Sequence, residues 1–195
     1  MRIVIGAVAL VMLAGCLERG DKNEQLAKAT KNVESIEIAA NSPDAAVKSW
    51  WAVKDASILL DREVCTEYSR MRSPAQEKLK QLSSDNFPED RSCFGGPISF
   101  DRKIAKVEIE SDTRAVVTAV IKNSAAPEPG ASLDDSDRAA KEAGVRYRYT
   151  LERKGANDSW KISAIDNFPS YARDWESAYK APEPSNNRYV YERFQ

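Results

Sequence analysis

Asp166, Tyr147 and Tyr149 are the residues of this chain whose types could do acid–base chemistry at close quarters. A carboxylate with its pKa raised by an apolar pocket can take a proton. A phenol facing it can donate a hydrogen bond to the charge that develops. Tyr147 and Tyr149 alternate along "VRYRYTLER", and Asp166 ends "WKISAID". The competing reading is structural. Asp166 caps the turn before Asn167-Phe168-Pro169, and the tyrosines keep their rings in a core and their hydroxyls at its rim. Trp50, Trp51 and Trp160 extend the set, so a candidate pocket comprises Trp50, Trp51, Tyr147, Tyr149, Trp160 and Asp166. The same aromatics at helical and strand spacing equally describe a plain core.

Other chemistry is poorly supplied. The chain has no histidine, which removes the commonest general base and metal ligand, and with it Ser-His-Asp and Cys-His catalysis. Asp134-Asp135-Ser136-Asp137 lacks the glycine and distal glutamate of a calcium loop. No Cys, Asp and Glu residues stand at metal-ligand spacing, and no glycine-rich phosphate loop is present. Lys and Arg total 29 against 30 Asp and Glu, for a net charge of −1. The signs are interspersed, without a basic stripe for nucleic acid. The expectation is a protein without catalytic residues, metal or cofactor, one that binds or blocks a partner rather than transforming a substrate.

Cys16 calls for a different chemistry. Arg2 precedes an apolar or small run from Ile3 to Ala14. That run of about 12 residues is shorter than the ~20 that span a hydrocarbon core, and suits the h-region of a secretory leader. Ala14 and Gly15 are the small residues a cleavage site requires. Leu13-Ala14-Gly15-Cys16 resembles the lipobox of bacterial lipoproteins. The resemblance implies a leader over residues 1–15 and acylation of Cys16 as the first mature residue, leaving the membrane as one partner through the lipid anchor. Leu17 is not the aspartate associated with inner-membrane retention, so the resemblance implies an outer-membrane lipoprotein facing the periplasm. In that oxidising compartment the other two cysteines, Cys65 and Cys93, are a disulfide candidate; two separate buried thiols are the alternative.

These residues need elements to hold them. Residues 16–41 are polar, with a weak apolar series at Leu26, Val33 and Ile36, and read as a tether that is helical in part. At "NSPDAAVKSWW", Ser42 is an N-cap, Pro43 suits the first helical position and Asp44 complements the dipole. Ala46, Trp50, Val53, Ser57 and Leu60 recur at helical spacing, and Val47, Trp51 and Ile58 widen the stripe. Cys65 and Tyr68 continue this helix or open another. Ser73-Pro74 starts a further helix with Leu79 and Leu82 on its apolar face.

Residues 83–97 read as a loop. "KIAKVEIES" places Ala105, Val107 and Ile109 on one face, and "RAVVTAVIKN" is a largely apolar strand. Residues 123–144 read as an exposed insertion with a turn of helix. Val145, Tyr147, Tyr149 and Leu151 share a face, "KGANDS" turns the chain, and Trp160, Ile162 and Ala164 share the next. Residues 170–195 form an aromatic C-terminal segment, with a short helix over "SYARDWESAYK" that puts Tyr171, Trp175 and Tyr179 on one side. The fold class is α+β, with N-terminal helices packed on an antiparallel sheet.

"SPDAAVKSWWAVKDAS", the paired strands "KIAKVEIESDTRAVVTAVIKN" and the hairpin "RYRYTLERKGANDSWKISAID" together resemble the nuclear-transport-factor-2-like (cystatin-like) superfamily. The resemblance implies that the head, residues 42–169, is a curved sheet wrapped as a cone around a long helix. That fold hosts binders, assembly modules and enzymes, ketosteroid isomerase among them, so it leaves function open. Three readings follow: a protein-interaction or ligand-binding module with a protein partner in the periplasm; an immunity lipoprotein that neutralises a toxin delivered there; and a pocket enzyme using Asp166. The blocking surface of an immunity protein would be the 123–144 insertion or the C-terminal aromatics. Oligomeric state stays open.

Overall fold

The computed structural model describes residues 14–67, 73–84, 99–127 and 129–179, with side chains over 24–65 of the first stretch. Residues 1–13 of the expected 1–15 leader, Tyr68, most of the expected loop 83–97 with Cys93, and residues 180–195 lie outside the described residues. Helices α1 (Ala14–Glu34), α2 (Pro43–Glu67) and α3 (Pro74–Leu82) come first. Strands β1 (Phe100–Ser111) and β2 (Arg114–Asn123) follow, then helix α4 (Asp135–Ala143), and strands β3 (Val145–Glu152), β4 (Lys161–Phe168) and β5 (Glu176–Ser177). The strands form one open antiparallel sheet in the order β1-β2-β3-β4-β5. The chain is therefore α+β.

α2 starts as its sequence dictates. Ser42 Oγ accepts the Ala45 N–H at 3.3 Å and donates to Asp44 Oδ1 at 2.7 Å, while Lys48 reaches Asp44 Oδ2 at 2.9 Å. The Ser42 hydrogen bond, followed by Lys48, holds the Asp44 carboxyl below its ordinary pKa. Ala46, Val47, Trp50, Trp51, Val53, Ala56, Ser57, Leu60 and Val64 are buried along the helix, the wide stripe of a helix that covers a sheet. Ala75 and Leu82 of α3 are buried beside it, with Leu79 packed against them. Beyond α3, Ser83 bridges to Ile162 and the Ser84 N–H donates to Ile162 O at 2.9 Å, tying the helix to β4.

The polar stretch before Ser42 does more than tether. α1 runs 21 residues, and Val33 at its end has no exposed surface. Leu26, Ala29, Ile36 and Ile38 pack against the core, and Ala40 is part of it. The Ala40 carbonyl accepts the Trp160 N–H at 2.8 Å, and Ser49 Oγ bonds both the Ala39 N–H and C=O at 3.0 Å. The weak apolar series is thus a docking stripe, so the head begins well before residue 42. Few apolar residues suffice because α2 and α3 already supply the groove.

Residues directly opposite one another on neighbouring strands share a face. Val117, Tyr149 and Ile165 lie in one such row; Ala115, Leu151 and Ile162 form another; Ala119, Tyr147 and Asn167 a third. This inner face meets the helices. The ladders carry three irregularities, at Ala105, Glu110 and Ser163, and the first and last reset which residues face the core. Ala105 is the extra residue between the pairs Ile104–Ala119 and Lys106–Thr118, so Ile104, Val107 and Ile109 face inward. The expected face of Ala105, Val107 and Ile109 is corrected at Ala105. Ser163 is likewise extra between the pairs Leu151–Ile162 and Thr150–Ala164. Trp160 and Ile162 are buried inward, but Ala164 turns outward and Ile165 takes its place. A bulge puts two residues opposite one and changes which parity faces the core, and neither bulge carries a glycine to announce it.

Two further segments differ from expectation. Residues 170–179 of "SYARDWESAYK" are not a helix: after Pro169 the chain turns and adds β5 to the β4 edge, with Asp166 opposite Ser177 and Asn167 opposite Glu176. Tyr171 is exposed, Trp175 lies against Phe168, and Tyr179 against Trp50. The three aromatics do not share a side. In the insertion, α4 is a nine-residue helix with no buried residue. Its capping box pairs Asp134 and Asp137 across the N-terminus, with Asp134 Oδ1 accepting the Asp137 N–H at 2.8 Å. That hydrogen bond holds the Asp134 carboxyl below its ordinary pKa.

Gly144 ends α4 at φ 69°. A Cβ there would lie 2.7 Å from the Ile121 carbonyl oxygen and from Lys122 Cγ. Gly130 has a similar positive φ of 88° but open space around it. Gly144→Ala should therefore cost about 1–3 kcal/mol, and Gly130→Ala less, in urea unfolding of the two variants. Equal costs would show that φ alone, not the approach of β2, constrains Gly144.

Candidate functional site

The inner face gathers most of the sequence-selected aromatics. Trp51 projects from α2 onto β3, and its indole Nε1 donates to Tyr149 Oη at 2.7 Å. The two rings meet edge to face, with centroids 6.0 Å apart. Tyr147 stacks on Tyr149 at 6.4 Å and lies opposite Asn167 of β4. Trp50 packs against Tyr179 at 6.5 Å. Trp160 is buried at the other end of the hairpin, with the Arg153 guanidinium 4.3 Å over its ring.

An ion pair that sequence inspection did not single out closes the inner cluster. Arg102 of β1 donates from both terminal nitrogens to Asp55 of α2, at 2.5 and 2.7 Å. Its guanidinium lies 4.8 Å over Phe100 and 5.8 Å over Trp51. The fork geometry suits a carboxylate, and the planar cation stacks on aromatic rings. Residues 47 apart with no common motif leave no local signal for such a pair.

Burial, partly offset by the Trp51 hydrogen bond, pushes the Tyr149 hydroxyl well above its ordinary pKa. Burial, followed by the neighbouring Tyr179, raises Tyr147 as well. Both phenols therefore stay protonated and can donate. Neither faces Asp166. That residue sits opposite Arg148 on the outer face of the sheet, where Arg148 Nε and a terminal nitrogen reach Asp166 Oδ2 at 3.2 and 2.9 Å. The structure thus brings Trp51, Tyr147 and Tyr149 together, with Trp50 nearby, and places Asp166 on the other side of β4. The Ser163 bulge is the cause. Asp166 is partnered by arginine rather than set in an apolar pocket, which is the opposite of what a proton-accepting carboxylate needs.

The outer face carries its own cluster. Arg146 lies 4.3 Å over Phe168 and 5.7 Å from the Trp175 ring, and Arg148 lies 4.7 Å over Trp175. Phe168 and Trp175 meet edge to face at 5.6 Å. Arg146 is exposed. Among the described residues it has no carboxylate partner, whereas Arg148 has Asp166. The alternation of "RYRY" already places these arginines opposite the tyrosines. What the sequence hides is Trp175, which reaches them through the β5 turn.

Cys65 is disulfide-bonded; Cys93 and the side chain of Cys16 lie outside the described residues. Among the described residues no cluster of three Cys, Asp or Glu could hold a metal ion, and no helix is long and apolar enough to cross a membrane. No protein-family model, curated protein or solved structure matches this chain.

Tyr149 generates a pH prediction. In the unfolded chain its hydroxyl ionises near pH ~10, while in the fold it resists ionisation. A raised folded pKa gives stability that is complete below pH ~10 and lost as the pH rises above it, by about 1.4 kcal/mol per pH unit. Tyr149→Phe removes this dependence. Urea unfolding at pH 8 and 11 should show the wild type losing more stability across that interval than the variant. Parallel losses would remove Tyr149 from the alkaline transition.

Proposed function

We propose that this chain is a bacterial envelope lipoprotein, acylated at Cys16, whose head is a protein-interaction module facing the periplasm at the outer membrane. The observation that carries the interaction reading is the Arg146–Arg148–Phe168–Trp175 cluster on a sheet face that the three N-terminal helices leave open. Tryptophan and arginine are the side chains that most often dominate binding energy at interfaces. Here the arginines are held by stacking, which lowers the entropy lost when a partner orders them. The charge of Arg146, without a carboxylate partner among the described residues, favours an acidic protein surface as the occupant.

The anchor reading rests on Leu13-Ala14-Gly15-Cys16. It gains a mechanical consequence from α1. The helix runs from Ala14 to Glu34, so a lipid on Cys16 would connect to the buried Val33 through about 25 Å of helix instead of a coil. The order of helices before an antiparallel meander, with α2 along one face, supports the nuclear-transport-factor-2-like reading of the head, and the disulfide at Cys65 supports the proposed pairing with Cys93. Against the pocket-enzyme alternative stands the separation of Asp166 from Tyr147 and Tyr149 by the thickness of the sheet.

Two experiments test the proposal separately. Cys16→Ser should abolish palmitate labelling and release the chain from the membrane fraction; retained label would overturn the lipoprotein reading. For the head, Arg146→Glu and Trp175→Ala should each weaken cross-linking to acidic periplasmic proteins by about tenfold or more, equivalent to 1.4 kcal/mol, without lowering thermal stability comparably. Unchanged cross-linking in both variants would remove the outer face from the function.

A further inference from the structure

We propose that β1 is a self-association edge, at which two copies of this chain pair antiparallel about a twofold axis at Val107. The described strands give β1 one neighbour, β2, and leave its other side as a sheet edge. Val107 and Ile109 face inward by register but are 41% and 60% exposed, because the helix layer meets β1 only at its Arg102–Ile104 end. These two are half of the four large apolar side chains exposed among the described residues, the others being Leu59 and Tyr171.

The occupant follows from charge. Lys106 and Glu108 flank Val107 and point outward, Lys106 Nζ lying 2.7 Å from Glu108 Oε1 along the strand. In an antiparallel pair centred on Val107, Lys106 of each copy falls opposite Glu108 of the other. Opposite charges directly across a strand pair attract, and like charges repel. Each lysine would then sit between its own glutamate and its partner's, in a ring of alternating sign. On the inner face, Val107 meets its own copy and Ile109 lies diagonally beside it, so four apolar side chains cover one another.

Lysines and bulges ordinarily protect an edge from pairing. Here the lysine is answered by a glutamate two residues on, which makes the edge self-complementary rather than repellent. The irregularities at Ala105 and Glu110 limit regular pairing about Val107 to Lys106, Val107 and Glu108, with Ile109 falling opposite the bulged Ala105. The charge pattern selects this register, and growth stops at two copies because a twofold edge pair is closed. An interface this short lies below the ~1,200 Å² of stable complexes, so the dimer is a micromolar one.

The test uses the full chain extracted in detergent, with sedimentation reporting mass. The unaltered chain should show a concentration-dependent dimer. Lys106→Glu and Glu108→Lys each place like charges opposite one another and should weaken dimerisation about tenfold or more. Both side chains are about half exposed or more (63% and 46%), so the thermal midpoints should hardly move. Mixing the two single variants should restore a heterodimer, because every charge then meets its opposite, and the double variant should dimerise like the unaltered chain. A chain that stays monomeric up to about 500 μM, single variants that dimerise normally, or a mixture that fails to re-associate would each overturn the proposal.

Discussion

Trp51 reaches from α2 to Tyr149 of β3, and this contact is the point on which the head depends. The indole and the phenol are both too polar to bury unpartnered, and each satisfies the other with one hydrogen bond. That bond sets the height of α2 over the sheet. It brings Val47 and Val53 into the same apolar layer as Val117 and Leu151. It also places Asp55 within reach of Arg102 on β1. Removing one partner would leave a buried polar group without compensation, which costs more than the bond itself contributes.

The two faces of the sheet have different physical characters because they have different neighbours. The inner face is filled by α2 and α3, so its polar atoms must pair internally, and Tyr147 and Tyr149 accordingly act as structural phenols held neutral. Among the described residues the outer face has no such layer. Its arginines rest on Phe168 and Trp175, with Arg148 balanced by Asp166. Chemistry that would have united Asp166 with the tyrosines is divided between these faces.

The connection to the membrane, if Cys16 carries the lipid, is part of this same packing. α1 has little amphipathic character, yet its C-terminal end is held by Val33, with Leu26, Ile36 and Ile38 around it. Lys78 of α3 adds a side-chain hydrogen bond to the Glu34 carbonyl at 2.9 Å and a second to the Ile36 carbonyl.

By itself the sequence determined the class of fold, the start of α2 at Ser42-Pro43-Asp44, nearly all of its buried stripe, and the inward set of β3. Those features are local: a cap, a 3.6-residue period and a 2-residue period are written in neighbouring residues. Only the tertiary structure decided the rest. The bulges at Ala105 and Ser163 reverse the facing of β1 and β4 part-way along, and no residue type marks them. The burial of Val33 depends on a groove made by α2 and α3. The stacking of Trp175 on Arg148 depends on a turn after Pro169 that places β5 beside β4, where a helical spacing of aromatics had favoured a helix. Periodicity reports which side of an element a residue occupies only while the period is unbroken, and an inserted residue or a distant neighbour changes that side without changing the local pattern.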